Sequence, residues 1–245
     1  MTTDREIDEA LKRVSQTPHA VEPELLGHIA SSIKASLQPV RRLPPTWTFA
    51  CGLALTCTAI SVAGAARAGF YGIEKMSLLQ RALIFPVIGI LFWVAATEFV
   101  NTMIPGSRSR LSPGALLGIG SVVLVGVSGL LFRDYRTDRF FSVGMVCLLT
   151  GLLHAIPAGL LSWLVLRRGF AVNPISAGLV AGNLAGLAGV GVLELHCPNF
   201  QAFHVMVWHT AVVPVSGVAG ALLAWVLHWR RGPIAEASAR RTPRR

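Results

Sequence analysis

The chain has 245 residues, 53% of them hydrophobic and only 14% charged, with a formal net charge of +10. Soluble domains carry about a quarter charged residues, so this chain cannot clothe a soluble surface. Hydrophobicity this high excludes disorder over the bulk of it, and four cysteines are too sparse for a disulfide-stapled secreted scaffold. What remains is an integral membrane protein, with mean hydropathy +0.58, whose Lys and Arg record topology rather than nucleic-acid binding.

In chain order, residues 1–46 are polar and form a tail. No cleavable signal peptide is expected, because the first apolar run lies too far from the N-terminus. Ile7, Leu11 and Val14 fall at helical spacing behind a Thr3/Glu6 capping box. Pro18 and Pro23 separate this from a second amphipathic stretch, where Leu25, Ile29, Ile33 and Leu37 recur every fourth residue until Pro39. A short helix with only an apolar stripe is marginal in water. It buries that stripe against its own bundle, against the membrane surface with help from Arg41 and Arg42, or against a partner protein.

A spanning helix needs about 20 mainly apolar residues. Six segments qualify: Trp47–Ala66, Leu79–Ile104, Pro113–Phe132, Ser142–Leu166, Pro174–Leu193 and Met206–His228. They are numbered span 1 to span 6, and the five loops between them likewise. An N-terminus in the cytoplasm places 16 Lys and Arg inside and 6 outside, which favours both termini inside. In span 5, Gly178, Gly182 and Gly186 recur at intervals of four and expose bare backbone for close helix packing; Gly114 and Gly118 of span 3 carry the same expectation.

Few side chains within the spans offer chemistry. Glu98 in span 2 and His154 in span 4 are isolated ionisable groups, more consistent with hydrogen-bonded structure than with a proton relay. No HExxH, GxSxG, P-loop or dinucleotide-binding turn is present, so no enzyme is expected. Loop 5 stands out: Glu194, His196, Cys197, His204 and His209 lie within 16 residues. These are the ligand types of Zn²⁺ and other borderline-soft ions, although the spacing matches no tight metal motif. The candidate ligands are Cys147, His196, Cys197 and His204. Cys147 starts span 4 on the outer side, so it shares a depth with Cys197 and faces an oxidising compartment. A protonated His196 beside Cys197 would lower that thiol's pKa. Cys51 and Cys57 lie deeper or on the inner side.

Several stretches together resemble the NrsF-type membrane anti-sigma factors. They are Pro39-Val40-Arg41-Arg42, Ile104-Pro105-Gly106, Cys147-Leu148-Leu149, Leu166-Arg167-Arg168-Gly169 with Pro174, and Ala177 to Gly182. Leu195-His196-Cys197-Pro198 leading to Phe203 and Trp208, and Gly217 to Gly220, complete the pattern. The resemblance implies a six-span inner-membrane protein whose cytoplasmic N-terminal segment holds an extracytoplasmic-function sigma factor. It also implies signal perception through two cysteines, which correspond to Cys147 and Cys197. Two features depart from the family pattern. Asn199 and Phe200 stand where acidic residues often follow His-Cys-Pro, and the Met1–Thr17 helix is an addition.

The expected architecture is therefore all-α: a sigma-binding segment (1–46), a six-helix transmembrane domain (47–229) and a basic cytoplasmic tail (230–245). The expected function is a membrane-bound anti-sigma factor that contacts the sigma factor and the bilayer, with no direct nucleic-acid contact. Partner binding falls to Leu25, Ile29, Ile33, Leu37, Pro39, Val40 and Arg41, and signal sensing to Cys147, Cys197 and His196. No resident cofactor is expected, beyond transient soft-metal binding as the signal. The alternative is a small transporter or metal-efflux protein, which would want polar residues repeated along the spans and inverted halves; neither is evident.

Overall fold

Backbone in hydrocarbon must satisfy its hydrogen bonds within itself, and each long apolar run does so as a helix. The computed structural model of the chain describes residues 9, 12, 23–36, 44–104, 106–107, 109–168, 171 and 173–239. Span 1 is Thr46–Ala68, span 2 Leu78–Met103, span 3 Pro113–Leu131, span 4 Phe140–Arg168 and span 5 Pro174–His196. Span 6 starts as Ala202–His204, passes through a π turn at Val205–His209 and continues as Thr210–Ala239. All six are long and apolar enough to cross a membrane, and no strand occurs among the described residues.

The chain divides into two units, Met1–Leu43 and Pro44–Arg245. The first contains a helix, Pro23–Ser36, with proline at its first position, where a missing N–H costs nothing. Ile29 on this helix is 44% exposed. The side chains of Leu25 and Ile33, and the whole of Leu37, Pro39, Val40 and Arg41, lie outside the described residues. So does the expected first tail helix, apart from Glu9 and Lys12.

In the second unit, span 5 is the axis. Its apolar window is 83% buried inside the protein, against 22–44% for the other spans. Side-chain size explains this. A methyl group at Gly178 would lie 2.5 Å from the Gly220 carbonyl oxygen, and one at Gly186 would lie 2.7 Å from Val213 Cα. Gly182 abuts the Ser216 carbonyl in the same way, and Gly189 abuts that of Gly151 in span 4. On another side Ser61 Oγ of span 1 donates to the Ala188 carbonyl at 2.9 Å. The expected glycine seam of span 5 therefore exists, and its partners are spans 6 and 4. Gly114 and Gly118 differ: a Cβ at either would meet nothing within 4 Å. Four-residue spacing marks a bare face but does not say whether a helix lies against it.

The helix ends use ordinary caps. Ser77 and Gln80 form a capping box on span 2, and Gln80 Nε2 also donates to the Leu131 carbonyl at 3.1 Å, tying span 2 to the end of span 3. Ser112 and Asn173 cap spans 3 and 5. Outside the bundle, Leu55, Ile90, Val122, Leu149 and Leu222 are all exposed. An apolar exterior on this scale suits lipid and not water.

The glycine seam yields a test by sign. Gly182→Ala should lower the melting temperature of the chain in detergent, because overpacking costs about 1–3 kcal/mol. Gly118→Ala has open space and should be neutral or stabilising by up to about 1 kcal/mol, since alanine is the better helix former. Equal shifts for the two variants would contradict the packing described.

Candidate functional site: a buried thiol and imidazole cluster

Span 5 ends at His196, and the chain must turn to enter span 6 six residues later. Gly69 (φ +102°) and the short helix Tyr71–Lys75 of loop 1 press against this turn. Gly72 makes the approach feasible, since a Cβ there would stand 2.8 Å from the Glu194 carbonyl oxygen and 2.9 Å from that of Cys197. Loop 3 closes from another side: the Ala202 N–H donates to the Asp134 carbonyl at 2.6 Å, and Phe132 stacks on Phe200 at 5.4 Å. Exposed Arg136 lies 3.1 Å from Asp134 and holds its carboxyl below the usual carboxylate range through hydrogen bonds and charge.

Beneath these loops four side chains converge. Cys147 Sγ, in the second turn of span 4, lies 3.4 Å from Cys197 Sγ just past span 5. His204 Nε2 lies 3.7 Å from Cys197 Sγ. With His209, these residues offer ligand atoms that all fall within 4.8 Å of one another. Cys197, His204 and His209 are buried, and Cys147 is partly so. Phe140 and Phe141 pack against Trp208 at 5.4 and 6.0 Å beside the cluster.

The π turn makes this convergence work. In an α-helix at about 100° per residue, five positions rotate a side chain about 140° away from its starting face. A π turn bonds residue i to i+5 and brings the fifth residue back almost above the first. Val205–His209 adopts that form, and the His204 and His209 rings meet edge to face at 5.2 Å. His209 is then fixed from behind: its Nδ1 donates to Glu194 Oε1 at 2.9 Å, both side chains being about 2% exposed. That leaves His209 Nε2 buried without a hydrogen-bond partner among the described residues, as are His204 Nδ1 and Glu194 Oε2.

His196 goes elsewhere. Its Nδ1 donates to the Gly69 carbonyl at 3.0 Å, and its ring lies 5.8 Å from that of Tyr71, so it fastens loop 1 to the end of span 5. Cys197 accordingly titrates under other neighbours. Donating its own S–H to Cys147, together with burial, pushes its thiol above the ordinary cysteine range, and His204 and His209, not His196, act in the opposite sense. Of the residues singled out in the sequence, the fold brings together Cys147, Cys197 and His204. Sequence reasoning left His209 and the orienting Glu194 outside its ligand set. The available signal was a carboxylate and an imidazole in a stretch where burying either is costly.

The isolated ionisable groups have structural partners. Glu98 accepts from Ser109 Oγ at 2.5 Å and from the Arg110 N–H at 3.2 Å, anchoring loop 2 at the end of span 2. His154 Nδ1 donates to the Thr150 carbonyl at 2.8 Å, and its ring fills the space left by Gly64. Among the described residues, neither belongs to a chain of polar groups that would carry a proton or an ion. Cys51 and Cys57 lie in span 1, outside the cluster.

A family model, NrsF (negative regulator of sigma F), matches residues 34–229. No curated protein and no solved structure matches the chain.

The two sulfurs lie 3.4 Å apart and have to approach to about 2.05 Å to form a disulfide. Mild oxidation of the chain in detergent should therefore consume two of its four thiols within one molecule. Peptide mapping should find Cys147 joined to Cys197, and Cys197→Ser should abolish the loss. Cross-linking through Cys51 or Cys57 instead would contradict the geometry.

Proposed function

The chain belongs to the NrsF family of negative regulators of sigma F, the match covering most of its length, and on that premise we propose that it is a membrane-bound anti-sigma factor. Its cytoplasmic N-terminal segment sequesters an extracytoplasmic-function sigma factor at the inner membrane. A thiol-directed signal on the periplasmic side, metal or oxidant, releases it. The sigma factor is the protein partner, the bilayer the other, and nucleic acid is not contacted directly.

The observation that carries this reading is where the family match begins. It starts at residue 34, inside the helix Pro23–Ser36, and runs through Leu37, Pro39, Val40 and Arg41 before taking in all six spans. The feature common to the family is thus a bundle together with the stretch leading into it. Ile29, just ahead of the matched stretch, is exposed on that tail helix, and helix-in-groove docking is one use of an apolar stripe such as the one expected there. An inhibitor segment of this kind blocks the surfaces through which a sigma factor meets promoter or polymerase. The cluster offers two facing thiols as the responsive element, and the 16 to 6 bias of basic residues supports placing it outside.

Two measurements test the proposal. Full-length chain in detergent should capture its sigma factor, and the double change Ile33→Asp with Leu37→Asp should weaken capture at least about 100-fold, as loss of two buried anchors does, without affecting membrane insertion. Undiminished capture would assign the stripe to the bundle or the bilayer. In cells, Cys147→Ser and Cys197→Ser should still repress sigma-dependent transcription but lose induction by the stress. Normal induction in the double variant would remove both thiols from the mechanism.

A further inference from the structure

The cluster contains more than a pair of thiols needs. A redox switch uses Cys147 and Cys197 alone. It gives no reason for two imidazoles and a carboxylate to be buried beside them in an apolar bundle, where an unpartnered polar atom is costly. Three features are left over. His204 directs Nε2 at Cys197 Sγ from 3.7 Å. His209 is clamped through Nδ1 by Glu194, leaving Nε2 buried and without a partner among the described residues. A π turn, an otherwise rare backbone form, sets both rings on one side.

The geometry points to a four-ligand site for a single divalent d¹⁰ cation of the Zn²⁺ or Cd²⁺ class, held by Cys147, Cys197, His204 and His209 and oriented by Glu194. This deepens the thiol-directed signal proposed above and rests on that reading for its physiological role. With Zn–S near 2.3 Å and Zn–N near 2.0–2.1 Å, adjacent ligand atoms of a tetrahedral site stand about 3.3–3.8 Å apart. The Sγ to Nε2 distance of 3.7 Å already has that spacing, the sulfurs at 3.4 Å would part by a few tenths of an ångström to reach the roughly 3.8 Å of a sulfur–sulfur edge, and all four ligand atoms lie within 4.8 Å of one another. Two sulfurs and two nitrogens in a tetrahedral arrangement select Zn²⁺-like ions over hard cations, which take oxygen, and over Cu²⁺, which prefers tetragonal sites. Glu194 performs the outer-shell task typical of such sites. By accepting the Nδ1–H it fixes the tautomer that leaves Nε2 free to bind.

The exchange balances in charge and in protons. Starting from two thiols and two neutral imidazoles, one M²⁺ enters, two S–H bonds break, two M–S and two M–N bonds form, and two protons leave to water. The two thiolates neutralise the cation, so binding places no net charge among the four ligands. No oxidant is required. The ligands come from the start of span 4, the turn after span 5 and the first turns of span 6, so one ion joins the ends of three spans.

The test uses the full chain, reduced and in detergent, with Co²⁺ as the probe. The wild type should bind one Co²⁺ per chain, giving tetrahedral ligand-field bands and thiolate charge-transfer absorption, both lost when Zn²⁺ or Cd²⁺ displaces it. Glu194→Gln should weaken binding about 10- to 100-fold, the usual effect of removing an outer-shell partner. Cys51→Ser should bind like the wild type. Because His209 is deeply buried, Cys147→Ser supplies a second variant at a half-buried position. It should lose the charge-transfer band while eluting as a single monodisperse species. A reduced wild type with no such spectrum overturns the site, and so does unchanged affinity in both Glu194→Gln and Cys147→Ser. Sigma-factor capture, measured on the same preparation with chelator present, separates the two proposals. Capture without a Co²⁺ spectrum overturns the cation site alone. A Co²⁺ spectrum without capture supports the site and removes the regulator reading.

Discussion

Everything in the bundle depends on the bare backbone of span 5. Water supplies no squeeze inside a bilayer, so helices associate by how closely they can approach. Gly178, Gly182 and Gly186 let span 5 meet the main chain of span 6, and Gly189 lets it meet Gly151 of span 4. Contacts of this kind leave no soft side chain to absorb a shift. A displacement at one end of span 5 must be shared by its neighbours or must break the seam, which is why packed interfaces switch between discrete arrangements rather than deform gradually.

The thiol and imidazole cluster sits where that stiffness can be used. It caps the end of span 5 and draws ligands from spans 4 and 6, the two helices in backbone contact with span 5. Joining those ends, by a bound ion or by a disulfide, adds a constraint to elements already locked along their length. Glu98 holds loop 2, between spans 2 and 3, through Ser109 and Arg110, so the two poles of the bundle differ in kind. One is organised by a single carboxylate and the other by two thiols and two imidazoles. In the proposed mechanism the reactive pole receives the signal, and span 5 with its neighbours carries it to the segment that precedes span 1.

The spans were legible because hydrocarbon thickness fixes their length and forbids polar interruption. The seam of span 5 was legible from glycine spacing, yet the same spacing in span 3 marks a face with nothing against it, since sequence shows a bare face and not its neighbour. The two thiols were legible as sharing a depth, while their 3.4 Å approach is a property of the fold. His196 and His209 show where the reading ran out. Neighbours on a helix point about 100° apart, so His196, adjacent to Cys197 in sequence, turns instead to Gly69. His209, five residues from His204, could share a helix side with it by sequence but was left out of the ligand set, and regular α-helical turns would not bring the two rings together. Only the π turn does, and no residue pattern announces one. The apolar stripe of the tail is legible as a stripe, but spacing alone does not say what covers it.

The central claim is that chemistry at the cluster changes grip at the N-terminal segment. The direct measurement is the affinity of labelled sigma factor for full-length chain in lipid nanodiscs, before and after saturation with Cd²⁺. Coupling between sites of this kind is typically worth about 5- to 150-fold in affinity. The account predicts a loss of affinity in that range for the wild type, reversed by chelator and absent when Cys147 and Cys197 are both serine. An affinity for the wild type that is the same with and without Cd²⁺, in discs where the ion is shown to be bound, would contradict it.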